Sequence, residues 1–157
     1  MSQAPAIANS VTSLTGLLVP LADRTLLLPN VVVAELIPYR APQVTPGMPA
    51  WFLGQVAWRD LRLPLLSFEA ASGAQAVGAG MGARVAVLNA AGGRSHVKFI
   101  ALLVQGIPRS IKFGSDLARA DAPLAALELE AVSLGGEVLK VPDLPGLEQL
   151  LADAGLI

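Results

Sequence analysis

Three consecutive residues, Trp58, Arg59 and Asp60, put an indole, a guanidinium and a carboxylate at what reads as the tip of a β-hairpin. In the stretch PAWFLGQVAWRDLRLPLLSF, residues 49–68, Leu61, Leu63 and Leu65 fall on one face and Arg62 on the other, the period-two pattern of a half-buried strand. A guanidinium carries five rigidly arranged donors, and beside an indole it suits recognition of a protein partner. An ordinary solvated tip satisfies the same pattern. Glu35, an acid inside an apolar strand, either faces solvent by alternation or pairs with a partner's base. Trp51 reads as core, because aromatics are only 4% of the chain and losing one to the surface would weaken the interior. Trp58, next to the turn, stands evenly between core and interface. Gly54 either relieves crowding in its strand or lets a partner's backbone come close.

Catalytic readings find little to stand on. His96 is the one histidine, its neighbours Arg94, Ser95 and Lys98 suggest an exposed turn, and no G-x-S-x-G elbow surrounds any serine. VGAGMG at residues 77–82 imitates a dinucleotide fingerprint, but a strand follows it rather than precedes it, and no acid comes before Asp116 to bind a ribose. Zero cysteines exclude disulfides, thiolate catalysis and Cys-ligated zinc, and the acids are too dispersed to replace them as metal ligands. No catalytic residue, cofactor or metal is therefore expected.

The formal net charge of -1 hides an uneven distribution. Residues 70–115 hold five bases and no acid, whereas residues 116–157 hold eight acids against two bases, so the two segments can attract each other. Arg84, Arg94, Lys98, Arg109 and Lys112 are scattered among apolar strand residues, which fits solvated strand edges better than a nucleic-acid surface. Every uncharged stretch long enough to cross a membrane contains helix breakers, and no basic n-region precedes Arg24. Cytoplasmic residence without direct membrane insertion is the expectation.

The elements that must carry these residues are short strands near residues 25–28, 31–37, 53–58, 61–67, 83–88, 98–105 and 107–113. Residues 127–134 alternate like a strand but consist of helix formers; Gly135-Gly136 and the apolar run after it favour a hairpin. A terminal helix is expected over residues 145–154, with Asp143 as cap, leucines at helical spacing and Gly155 as stop. Residues 1–14 read as a tail, and the Gly/Ala-rich residues 70–82 as a flexible connection between two halves of one 157-residue domain.

The hairpin also resembles a family. CheW-like chemotaxis coupling domains carry a run like P-x-W-x-x-G-x-x-N-x-R-G-x-x-x-P-x-x-D-L, matched here by Pro49, Trp51, Gly54, Arg59, Pro64 and the apolar Phe68. LLLPNVVVAEL is similar to the family's V-x-E-V strand, with Val33 and Glu35 in the matching places, and FIALLVQGIPRSI to its G-x-x-V-D-x-V segment. Ala57, Asp60, Ala101 and Gln105 depart from the pattern and put strict equivalence of contacts in doubt. The resemblance implies a mainly β fold of two small five-stranded barrels side by side. It also implies a non-enzymatic adaptor joining the cytoplasmic tip of a chemoreceptor to the regulatory domain of a histidine kinase, and the departures suggest an accessory member of a pilus-associated system. Arg59 is the first partner-binding candidate, with Val33, Glu35, Gly54, Trp58 and Ala101 behind it. A β-barrel nucleic-acid-binding module and, further off, a small hydrolase using His96 are the rival readings.

Overall fold

The computed structural model describes residues 14–90, 92–94, 96–114 and 117–157. The expected tail falls almost wholly outside them. The strands are β1 (Leu14–Pro20), β2 (Thr25–Pro29), β3 (Val33–Pro38), β4 (Phe52–Trp58), β5 (Leu61–Leu66), β6 (Arg84–Asn89), β7 (Phe99–Val104), β8 (Arg109–Phe113), β9 (Ala118–Arg119), β10 (Glu128–Leu134) and β11 (Glu137–Pro142). A 3-10 turn spans Asn30–Val32, and two helices, α1 (Phe68–Ala71) and α2 (Leu144–Asp153), complete the chain. Strand β1 is absent from the sequence expectation, and β8 begins two residues later than expected.

The strands form a six-stranded sheet in the order β8-β1-β2-β11-β10-β9 and a five-stranded sheet in the order β3-β6-β7-β5-β4. Mainly β architecture in two units with one short C-terminal helix is thus the observed fold. The division between the units is not where composition placed it. Residues 70–82 join β5 to β6, both in the five-stranded sheet, and the chain changes sheets instead after β2 and again after β7. Residues 73–82 of that segment are exposed and mark no boundary.

Alternation along the central strands explains their unbroken apolar runs. In β7, Ile100, Leu102 and Val104 enter a core shared by both sheets and the helices, while Ala101 and Leu103 enter a second core inside the five-stranded sheet. In β6, Ala86 and Leu88 take the shared core and Val85 and Val87 the inner one. Leu18 and Leu27, with Val132 and Leu139, make a third core in the six-stranded sheet. Strands buried on both faces lose the alternating hydropathy of half-exposed ones. Phe68 on α1 and Leu144, Leu147 and Leu151 on α2 close the shared core, and Trp51 packs against it half-buried. The α2 cap is as expected: Asp143 accepts the Gly146 N–H at 3.0 Å, and Gly155 beyond the helix end takes φ +74°.

A buried charge hub ties the six-stranded sheet to α1. The Arg24 guanidinium donates to Glu128 Oε2 at 2.8 Å and to Ser72 Oγ at 2.6 Å, and lies 5.4 Å from the Phe68 ring centroid. Glu128 Oε1 accepts from Lys140 Nζ and from the Ala125 N–H, both at 2.8 Å. Burial pushes the Glu128 carboxyl up, but the Lys140 and Ala125 hydrogen bonds and the Lys140 and Arg24 charges outweigh it and hold it below the ordinary value. The Arg24 hydrogen bond likewise lowers the Asp23 carboxyl. Beside the hub, buried Glu69 on α1 accepts the Ala22 N–H at 2.9 Å. The uneven charge of the sequence is partly neutralised in the same way, with Arg94 3.8 Å from Glu148 and Arg109 3.8 Å from Glu137.

Gln105 clasps the Gly-rich segment. Its side-chain oxygen accepts the Gly80 N–H at 3.0 Å, its side-chain nitrogen donates to the Gly78 carbonyl at 3.3 Å, and its own N–H donates to Pro20 at 2.9 Å. Gln105→Ala should therefore speed hydrogen exchange at the Gly80 amide several-fold, a local loss of about 1 kcal/mol, while the β7 amides keep their protection. Unchanged exchange at Gly80 would show that the clasp does not order the segment.

Candidate functional site

The β4–β5 hairpin turns through Arg59 at φ 49° and Asp60 at φ 62°, with Trp58 and Leu61 paired across its mouth. A two-residue connection whose twist matches its strands needs positive φ at both positions, an uncommon conformation for a residue as long as arginine. Two contacts hold the arginine there. Its guanidinium carbon sits 4.7 Å from the Trp58 ring centroid, and Nη2 donates to Glu35 Oε1 at 3.2 Å. The same Glu35 oxygen accepts the Trp58 indole N–H at 2.9 Å. The Phe99 ring meets the indole edge-on, centroids 4.8 Å apart. The indole is thus buried while its face carries the cation and its N–H fixes the carboxylate.

Glu35 reaches this cluster because β3 is irregular. Register slips between Val33, opposite Leu88, and Glu35, opposite Val87. In a regular strand these two residues would share a face; the bulge turns them to opposite faces. Val33 consequently packs on the shared core, away from the Arg59 cluster. Beside the cluster is a shallow recess of about 390 Å³, lined by Glu35, Ile37, Arg40, Ala57, Trp58, Arg59 and Asp60. The Arg59 side chain is 70% exposed and that of Glu35 40%, so both can be reached from solvent.

Two expected partner contacts lie elsewhere. Ala101 is fully buried in β7, between Leu65 and Val87 on the neighbouring strands, because the central strand has no free face. Gly54 is buried beneath residues 42–43: a Cβ there would meet the Gln43 carbonyl oxygen at 2.5 Å and Pro42 Cβ at 2.9 Å, and its φ is +134°. Its freedom serves that strap, which pairs with β4 through Gln43 and Gln55. Trp58 supports Arg59 from below rather than presenting its own ring. The cluster therefore joins Arg59, Trp58 and Glu35, and leaves Val33, Gly54 and Ala101 outside it. Sequence reading missed the Glu35–Trp58 bond; its one signal was an acid in an otherwise apolar strand.

Nothing in this geometry resembles reaction chemistry. Among the described residues, no group of three or more His, Cys, Asp or Glu could hold a metal ion. His96 is exposed on its loop as expected, and among the described residues no helix is long and apolar enough to cross a membrane. What the site offers is a cation and a carboxylate held together beside the hairpin tip.

Comparison with known proteins agrees. No curated protein sequence matches the chain significantly. Among solved structures the chain is similar to the scaffolding protein TtCheW from Thermoanaerobacter tengcongensis, with a TM-score of 0.69 and 14% identity over 82% of this chain and 83% of that one. A family model, the CheW-like domain, matches residues 15–151. Spanning both sheets, the charged hairpin and most of the final helix, that match means the chain belongs to the CheW-like domain family, a family of non-enzymatic chemotaxis scaffolds.

Proposed function

We propose that this protein is a cytoplasmic adaptor that couples chemoreceptors to a histidine kinase, with Arg59 and Glu35 as the centre of one partner-binding face. The reading is carried by one observation: Arg59 is exposed, yet stacked on Trp58 and paired with Glu35. A long side chain held in place before binding loses little rotamer freedom when a partner arrives. The recess beside it offers Arg40 and Asp60 in addition, a mixed-charge surface suited to a partner carrying both signs. By family likeness the partners are the helical tip of a receptor and the kinase's regulatory domain, and the departures at Ala57, Asp60, Ala101 and Gln105 favour a pilus-associated system. The hydrolase alternative gains nothing from the groove, since the described residues that line it with His96 include no serine, threonine or carboxylate side chain.

Arg59→Glu tests the face directly. The substitution removes the cation–π contact and sets two carboxylates together, so partner binding in pull-down or titration should fall at least tenfold. Stability should change by less than about 1 kcal/mol, because an exposed ion pair contributes little. Binding at parental strength to both receptor and kinase would sink the assignment, and so would unfolding. His96→Ala should leave both interactions intact.

A further inference from the structure

A second groove, of about 420 Å³, shares no residue with the Arg59 recess. Its walls are apolar: Leu61, Leu63 and Pro64 of β5 face Phe99, Leu156 and Ile157. Arg62, His96 and Lys98 line it too, and among the described residues no Asp or Glu side chain does. This contrasts with the recess, where Glu35 and Asp60 balance Arg40 and Arg59. Arg62 donates one hydrogen bond to the Gln43 side chain. Among the described residues, the exposed Lys98 ammonium and His96 imidazole have no hydrogen-bond or ion-pair partner. The fold has gathered basic side chains from two distant segments around an apolar slot.

The slot is also built to keep its shape. The loop before β7 is fastened to α2: the Gly92 N–H donates to Glu148 Oε1 at 2.9 Å, and Arg94 donates to Gln149 Oε1 at 2.7 Å. The Leu156 N–H donates to the Leu151 carbonyl at 2.9 Å, which fixes the opposite wall. Leu61 leaves 44% of its surface to solvent at the edge. A preformed apolar slot lined by the basic side chains of Arg62 and Lys98 favours a ligand that is apolar on one side and acidic beside it.

We propose that this groove binds an acidic amphipathic segment of a protein partner, its apolar side chains against Leu61, Leu63 and Phe99 and its carboxylates against Arg62 and Lys98. Nucleic acid fits less well, because phosphate would satisfy the cations but leave the aliphatic walls uncovered.

The test titrates the full chain with a synthetic amphipathic helix of leucine and glutamate, a leucine–lysine helix and a single-stranded oligonucleotide. The leucine–glutamate helix should bind, and more weakly as salt is raised. R62E/K98E, checked for parental circular dichroism, should weaken it at least tenfold, whereas R59E should leave it unchanged. Equal binding to R62E/K98E, equal binding of the lysine helix, or tighter binding of the oligonucleotide would each overturn the proposal. Loss in R59E with retention in R62E/K98E would overturn it while leaving the adaptor reading standing.

Discussion

Replacing Glu128 with alanine should lower the free energy of unfolding by about 3 kcal/mol, because it removes the carboxylate that Lys140 and Arg24 share and leaves Arg24 with Asp23 alone. The Glu128 side chain is 1% exposed, and those of Arg24 and Lys140 are 11% and 15% exposed. Water cannot readily take the place of the lost carboxylate, and the Ala125 N–H loses its acceptor as well. Urea denaturation of parent and variant measures the loss; a change below about 1 kcal/mol would mean that the hub is solvated on the timescale of unfolding. The same carboxylate gives the parent an acid limb. Its value is lowered in the folded state, so its contribution is present above the ordinary glutamate value of about 4.3 and disappears as pH falls through the folded value. Asp23, also lowered, adds to the effect in the same direction. The gap between parent and Glu128→Ala should therefore narrow below about pH 4, and a gap that widens on acidification would contradict the assignment.

Gly54→Ala should cost about 3 kcal/mol, from two sources that add. A φ of +134° lies where side chains are strained whatever the space around them, and the new Cβ would press on the Gln43 carbonyl, which is backbone and cannot rotate away. Either the strap at residues 42–43 lifts, breaking the reciprocal Gln43–Gln55 hydrogen bonds at 2.8 and 3.0 Å, or β4 shifts against β5. The first outcome should appear as faster exchange at the Gln43 and Gln55 amides alongside the lower denaturation midpoint. Parental stability with parental exchange would show that the strap yields freely and that the glycine has no steric duty.

What the sequence conveys about this molecule depends on distance along the chain. The β4–β5 hairpin is legible because its alternation, its turn and its charged tip are all local. Strands β6 and β7 are legible as strands from their apolar runs, but which residue enters which core is set by the neighbouring sheet. The N-terminal strand β1 escapes because Gly16 and the Ser- and Thr-rich approach to it imitate a tail. The boundary between units escapes for the opposite reason: residues 70–82 look like a linker, whereas the true crossings pass through short proline-bearing turns that look like hairpin connections. At the site, Arg59 beside Trp58 is readable, but Glu35 is 23 residues from Trp58 and reaches it only after a bulge reverses its parity. The Arg24–Glu128 pair spans 104 positions and leaves no periodic trace.

The order of the strands has a bearing on how the molecule is made. All five strands of the smaller sheet lie between residues 33 and 104, whereas the larger sheet draws β1 and β2 from before that stretch and its other four strands from after it. As the chain leaves the ribosome, the inner sheet has every strand it needs while the outer one is a lone hairpin. That hairpin bears Leu17, Leu18, Leu26, Leu27 and Leu28, and both of its edges stay unpaired until β8 and β11 are synthesised. Translation arrest once residue 104 has emerged from the ribosome should thus leave a nascent chain with one completed half and a sticky leucine-rich flap, the state in which this protein is most exposed to aggregation and most in need of a chaperone.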